Sequence, residues 1–139
     1  MNYELQLVLL PVSDVDAAKD FYEEKAGFDL DLDVSRGDDF RVVQFTPPGS
    51  ACSIAFGMGI TDAEPGSVRG LHLVVDDIEA ARADLVGRGV EVSEIRHMTP
   101  NGWAAGADPQ HADYNSFADF RDPDGNAWIL QEVHYQRDD

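Results

Sequence analysis

The sequence predicts an α+β protein made of two tandem βαβββ modules. Three observations carry this: an internal repeat, a helix-start signal after an apolar strand in each copy, and a series of short strands set off by glycine and proline turns after each helix. In the repeat, VSDVDAAKDFY at residues 12–22 matches VDDIEAARADL at residues 75–85. Val12 falls on Val75, Asp14 on Asp77, Ala17-Ala18 on Ala80-Ala81 and Lys19 on Arg82.

The elements follow in order. Each copy is preceded by a strand-like apolar run, residues 5–12 in the first and 71–75 in the second. Ser13 with Asp16, and Asp76 with Glu79, are spaced to cap the free amides of a first helical turn. Val15, Ala18 and Tyr22, and likewise Ile78, Ala81 and Leu85, then fall on one helical face. Gly27 and Gly89 are placed to stop the two helices. In the first half, strands are expected at 28–34, 40–46 and 52–57; in the second half, at 90–96, 116–121 and 127–133. Asp122-Pro123-Asp124-Gly125 is a strong tight-turn signal between the last two. The expected layout is a first module at 1–60, a linker at 61–69 and a second module at 70–139. The final-turn glycines, Gly49 and Gly125, lie farther apart than the helix-stop glycines by 14 residues. The surplus falls at 97–115 and reads as a long surface loop carrying Trp103, His111 and Tyr114.

Composition narrows the class of function. The 139 residues carry 27 acidic and 10 basic side chains, a formal net charge of −17, which argues against nucleic acid or an anionic membrane as partner. No apolar run approaches the ~20 residues of a membrane span, and the first residues do not resemble a signal peptide. Cys52 is the single cysteine, so neither an internal disulfide nor a thiolate zinc cluster is available. The expectation is an acidic, cytoplasmic globular protein.

The tandem repeat, the VSDVDAAKDFY segment and the DPDGN turn resemble the vicinal oxygen chelate superfamily, which includes glyoxalase I, extradiol dioxygenases, and fosfomycin- and bleomycin-resistance proteins. The resemblance spans nearly the whole chain. It implies that the modules form a curved mixed sheet around a central cleft, a natural small-molecule pocket. In the metal-using members, it implies a divalent ion held by His and Glu from four strands and acting as a Lewis acid.

Carried over residue by residue, the implied ligand set fails. The first-strand histidine position, seven before Asp14, is Leu7, and its counterpart seven before Asp77 is Gly70. The position of the closing glutamate, four after Gly125, is Ile129. Residues 52–57 contain neither an acid nor a histidine. No metal or other cofactor is therefore expected, although a relocated divalent site around His72 stays open.

His72 lies two residues beyond Gly70, so strand alternation turns it to the face Gly70 would share; Gln131 stands in the same relation to Ile129, and Glu132 points the other way. His72 is either a half-buried strand histidine or a group that hydrogen-bonds a ligand or acts as a general base. His97 and His111 border or occupy the long segment, and His134 lies near the C-terminus, so they give His72 poor company for a metal. Trp128, Phe45 and Phe56 read as core, and Cys52 as inert. Trp103 and Tyr114 are the candidates for covering a bound molecule, with the 97–115 segment as a lid over the cleft.

Two functions remain. One is a metal-free module holding a small organic molecule through His72, Gln131, Trp103 and Tyr114; the other is a glyoxalase-type lyase or a dioxygenase with an atypical site around His72. A scaffold whose cleft has closed is a weaker third. A homodimer is expected, because exposed strand edges and apolar sheet faces in this family are usually covered by pairing modules.

Overall fold

The computed structural model describes residues 1–135; the last four residues of the expected second module lie outside the described residues. Two units are distinguished. The first is Met1–Val68 with Asp122–Asn126, and the second is Arg69–Arg121 with the chain from Ala127 onward. Each contains one mixed sheet and one helix, as the repeat predicts. No helix among the described residues is long and apolar enough to cross a membrane.

In the first unit, β1 (Leu7–Leu9) leads to α1 (Val15–Asp20), which continues into a π-helical turn (Phe21–Lys25). β2 (Asp29–Arg36), β3 (Phe40–Thr46) and β4 (Ser53–Met58) follow. The sheet order is β1-β4-β3-β2, with β1 parallel to β4 and the other pairs antiparallel. The helix is capped by Asp14, whose carboxylate accepts from the Ala17 amide at 3.0 Å. The expected cap, Ser13, does something else: its amide and hydroxyl both donate to the Asp124 carboxylate. Tyr22, Phe28, Phe45 and Phe56 form the aromatic core, with Tyr22 and Phe45 each centred within about 6 Å of Phe56.

The Asp122–Asn126 turn belongs to this unit through hydrogen bonds. Asn126 is 0% exposed; its amide NH2 donates to the Pro11 carbonyl and to Asp122, and its oxygen accepts from the Val68 amide. Asp122 also accepts from the Tyr22 hydroxyl at 2.8 Å and from the amides of Asp124 and Asn126. Gly66, at φ +78°, donates its amide to Pro11. A Cβ on Gly66 would lie 2.1 Å from the Asp124 carbonyl oxygen.

In the second unit, β5 (Leu71–Val75) and α2 (Ile78–Gly87) are followed by β6 (Arg96–Thr99), β7 (Gly102–Ala105), β8 (Phe117–Arg121) and β9 (Ala127–Glu132). The order is β5-β9-β8-β6-β7, with β5 parallel to β9. Asp77 caps α2 by accepting from the Ala80 amide, one residue later than the expected cap, Asp76.

Two expectations are corrected here. Residues 90–95 are not a strand. The carbonyls of Val92 and Ser93 are taken by the Arg82 guanidinium instead of a ladder, and Ser93 bonds to Asp119 through both its amide and its hydroxyl. Nor is 97–115 simply a loop. It opens with the β6–β7 hairpin, turned at Pro100-Asn101 and re-entering the sheet at Gly102 with φ +110°, so this half has one strand more than its counterpart.

Glu132 is 1% exposed and sits at the start of α2. One carboxylate oxygen accepts from the Ile78 amide at 2.9 Å. The other meets His111 Nδ1 at 2.9 Å and His134 Nε2 at 3.4 Å, while His134 Nδ1 faces Asp113 at 2.9 Å. The hydrogen bond from His111 to Glu132, and the charge of that carboxylate, hold His111 above the ordinary histidine range; Glu79 and Asp77 act in the same direction.

Two predictions follow from these networks. Asn126→Ala should lower the unfolding free energy in urea by about 3 kcal/mol, because it strands the Pro11, Val68 and Asp122 groups at once. Tyr22→Phe, which removes one donor, should cost about 1 kcal/mol. For His111, a folded-state pKa above the unfolded value means that its contribution is full below about pH 6.5 and fades as pH rises through the folded value. The gap in melting temperature between wild type and His111→Ala should therefore narrow as pH is raised from about 5.5 to 9. A gap that widens over that range would contradict the assignment.

Candidate functional site

Each sheet has one face against its helix and one open face, and strand pairing decides which side chains share each. In the second sheet, His72 is paired with Ile129, and Ile129 with Asp119; Val74 is paired with Gln131, and Gln131 with Phe117. Arg96 is paired with Phe117 and with Ala105, and Met98 with Trp103. These residues share the open face. Trp128, Leu130 and Glu132 alternate to the buried side, as the sequence parity requires.

His72, Gln131 and Trp103 are therefore on one face, but not at one point. His72 is on the β5 edge and Trp103 on the opposite β7 edge; four strand spacings put them roughly 19 Å apart. The exposed His72 ring places Nδ1 2.7 Å from the Gly70 carbonyl. A carbonyl only accepts, so Nδ1 donates this hydrogen bond. Gln131 donates to the Tyr114 carbonyl at 3.3 Å, which joins those two candidates directly. Tyr114 has φ +68°, and its amide donates to the Glu132 carbonyl. A side-chain hydrogen bond with Tyr135 raises its phenol pKa.

Trp103 and Tyr114, the candidates for covering a bound molecule, are each 56% exposed. Trp103 stands edge-on to Phe117 at 5.6 Å, with the Arg96 guanidinium 5.2 Å from its ring centre. Arg96 is held in turn by both oxygens of Asp119, at 3.1 and 3.2 Å. The sequence reasoning missed this Arg96–Phe117–Asp119 support, whose signal was the alternation of residues 117, 119 and 121 across from β9. With Met98, also exposed, it forms an aromatic and thioether shelf.

The open face of the first sheet carries Leu7 and Leu9 of β1, Leu32 and Val34 of β2, Val42 and Gln44 of β3, and Ser53 and Ala55 of β4. Leu7, Leu9, Leu32 and Val34 are all exposed. Within this apolar face is a polar group that the sequence reasoning also missed. The Asp31 carboxylate accepts from the Gln44 amide and the Thr46 hydroxyl, and Thr46 shares a hydrogen bond with Ser53 at 2.7 Å.

The metal implied by the resemblance does not fit these residues. Leu7 and Ile129 offer no electron pair, Gly70 has no side chain, and β4 presents only Ser53, Ala55 and Gly57 to its open face. Among the described residues, no group of three or more His, Cys, Asp or Glu side chains is disposed to hold a metal ion. A separate open cleft of about 500 Å³ lies beside α2, lined by Glu79, Arg82, Ala83, Glu94, Ile95 and Ala105 among others, and includes none of the four candidates.

Residues 4–130 match the family model described as the glyoxalase/bleomycin resistance protein/dioxygenase superfamily. Among solved structures, the chain is similar to TnmS3, an antibiotic binding protein from Streptomyces sp. CB03234: identity is 36%, coverage 96% of this chain and 98% of that one, and the TM-score 0.73. It is similar to a glyoxalase/bleomycin resistance protein from the same organism at 37% identity, covering 92% and 99%, with TM-score 0.69. The uncharacterized protein YetH of Bacillus subtilis is 24% identical over 95% of this chain and its own full length. The chain belongs to the glyoxalase/bleomycin resistance protein/dioxygenase superfamily.

Proposed function

We propose that this protein binds a small organic molecule on the open faces of its sheets, without a metal and without transforming it. The observation that carries this is the character of those faces. The positions that would hold a chelating ion are occupied by Leu7, Gly70 and Ile129, while Trp103 is presented over half exposed on a pre-built support. An exposed tryptophan braced by a phenylalanine and an arginine is a rigid platform for a flat apolar ligand, with little side-chain entropy left to lose on binding. Gln131, Tyr114 and the exposed His72 ring supply orienting hydrogen bonds. The similarity to an antibiotic binding protein supports the same reading.

As a second part of the proposal, two copies form a homodimer. β2 and β7 are sheet edges, and β2, eight exposed residues long, is paired with a neighbouring strand on one side only. Sedimentation at about 50 µM should show a dimer; a monomer at that concentration would remove this part.

The binding reading is tested by native mass spectrometry against a set of polycyclic antibiotics, with metal analysis of the same samples after dialysis against nickel, zinc, manganese and ferrous iron. The expected outcome is one-to-one adducts, weakened about tenfold in Trp103→Ala, and no stoichiometric metal. One metal equivalent retained through desalting, lost in His72→Ala and accompanied by turnover of the methylglyoxal–glutathione adduct, would instead make this an enzyme with a relocated site.

A further inference from the structure

We infer that Asp31 forms a recognition site for a protonated amine on the open face of the first sheet, so that the ligand class is an apolar body bearing a cationic nitrogen. The inference rests on the small-molecule reading above and deepens it.

The geometry begins with a β-bulge. Leu30 is paired with Phe45, yet Leu32 is paired with Gln44, so Asp31 is the extra residue between them. Simple alternation along β2 would put Asp31 with Asp29 and Asp33. The bulge breaks that parity and brings the Asp31 carboxylate to Gln44 and Thr46, which share the open face with Ser53 and Leu32. Bulges commonly re-aim a side chain in this way beside binding sites.

The second observation is a difference in charge compensation between two aspartates on one strand. Asp33, on the helix side, is neutralised by Lys19 at 3.0 Å and by Arg41, which reaches it through both Nε and Nη2. Those partners hold its carboxyl far below the usual range. Asp31 has only neutral donors, Gln44 and Thr46, and both act on the same oxygen, Oδ2. Among the described residues, no cation forms an ion pair with it. Oδ1 accepts no hydrogen bond among the described residues, and Leu32 and Val34 of the same strand stand exposed on this face, with Leu7 and Leu9 three strands away on β1.

A carboxylate whose one oxygen is fixed by two neutral donors is oriented without being neutralised. Its open oxygen suits a donor that brings positive charge, because a charge-assisted hydrogen bond is about twice as strong as a neutral one. An apolar body lying over Leu32 and Val34 beside Asp31 lowers the local dielectric, which strengthens the contact further. The net charge of −17 favours the approach of cations over anions.

The test uses 2-naphthylmethylamine and its neutral partner 2-naphthalenemethanol, titrated into wild-type protein and into Asp31→Asn and Thr46→Val variants, with binding followed by two-dimensional amide NMR. The amine should bind about five- to tenfold more tightly than the alcohol and shift the Gln44 side-chain amide and the Asp31 and Thr46 backbone signals. The preference should weaken with added salt. It should vanish in Asp31→Asn, and it should shrink in Thr46→Val, which keeps the charge but loosens its orientation. Spectral dispersion reports whether each variant is folded, and a misfolded Asp31→Asn leaves wild type and Thr46→Val to decide. Equal affinity of amine and alcohol for wild type, an amine preference that survives in Asp31→Asn, or amine shifts confined to other residues would each overturn the inference. If both compounds bind near Trp103 without an amine preference, the small-molecule reading stands and the Asp31 site falls. If neither binds anywhere at about 10 mM, both fall.

Discussion

The first unit is organised around one buried hydrogen-bonded knot, the Asp122–Asn126 turn. Asn126 has no exposed surface, and its amide group meets the backbone at two distant places, Pro11 and Val68. Asp122 meets Tyr22 at the end of the helical segment, and Asp124 meets Ser13 just before α1. The same five residues therefore fix the path from β1 into α1, the aromatic core beneath the sheet, and the chain around Gly66. Buried polar groups are costly unless every member is satisfied. Here the donors and acceptors close on one another, and among the described residues no buried side-chain nitrogen or oxygen lacks a partner. The sequence motif DPDGN is thus more than a tight turn. Its aspartates and asparagine are chosen for the partners they meet.

With that frame held, each sheet separates two tasks by strand parity. On the helix faces, Phe45, Phe56, Trp128 and Leu130 are buried and supply cohesion. On the open faces, large apolar groups remain exposed: Leu7, Leu9, Leu32 and Val34 in one sheet, and Met98 and Trp103 in the other. Such surface is a cost to a solitary protein and is typical of a face that meets something. The few polar groups set into it are not random solubilising charges. Asp31, Gln44, Thr46 and Ser53 are bonded to one another, and Arg96 is clamped by Asp119 beneath Trp103.

Much of this was legible in the sequence. The repeat placed both helices and the strands of the first half, because the 3.6- and 2-residue periods are local properties of the chain. Parity correctly put His72 and Gln131 on one side and Glu132 on the other. The departures have identifiable causes. Pro100-Asn101-Gly102 carried a turn signal, but residues 97–115 are so rich in small and polar residues that the signal was submerged, and residues 90–95 lost their ladder to the Arg82 side chain. The first cap moved from Ser13 to Asp14, and Ser13 has instead a tertiary partner in Asp124, which no local rule reveals; the second moved likewise, from Asp76 to Asp77. The Asp31 bulge was equally hidden: Asp29, Asp31 and Asp33 alternate evenly in sequence, and only the pairing of β2 with β3 shows that one of them has changed sides.

The loss of chelating residues changes what kind of recognition these faces can perform. A divalent ion would dominate the electrostatics of its site and select any ligand with two adjacent oxygens. Leu7 and Ile129 put apolar side chains at the positions the resemblance assigns to chelating residues; under the proposed function, affinity comes from area covered and selectivity from the few polar atoms within reach. The separation of His72 from Trp103 across five strands limits how many of those atoms one small molecule can meet. On the proposals above, Trp103 with its Arg96 support is the platform for a flat apolar body, Gln131 and Tyr114 lie nearer the middle of that sheet, and Asp31 in the first sheet is the group that would distinguish cationic from neutral ligands. Each element is rigid because its own hydrogen bonds or ring contacts are already made in the free protein. Pre-organisation of this kind lowers the entropy lost on binding, and in the proposed metal-free reading it stands in for the affinity that a chelated ion would provide.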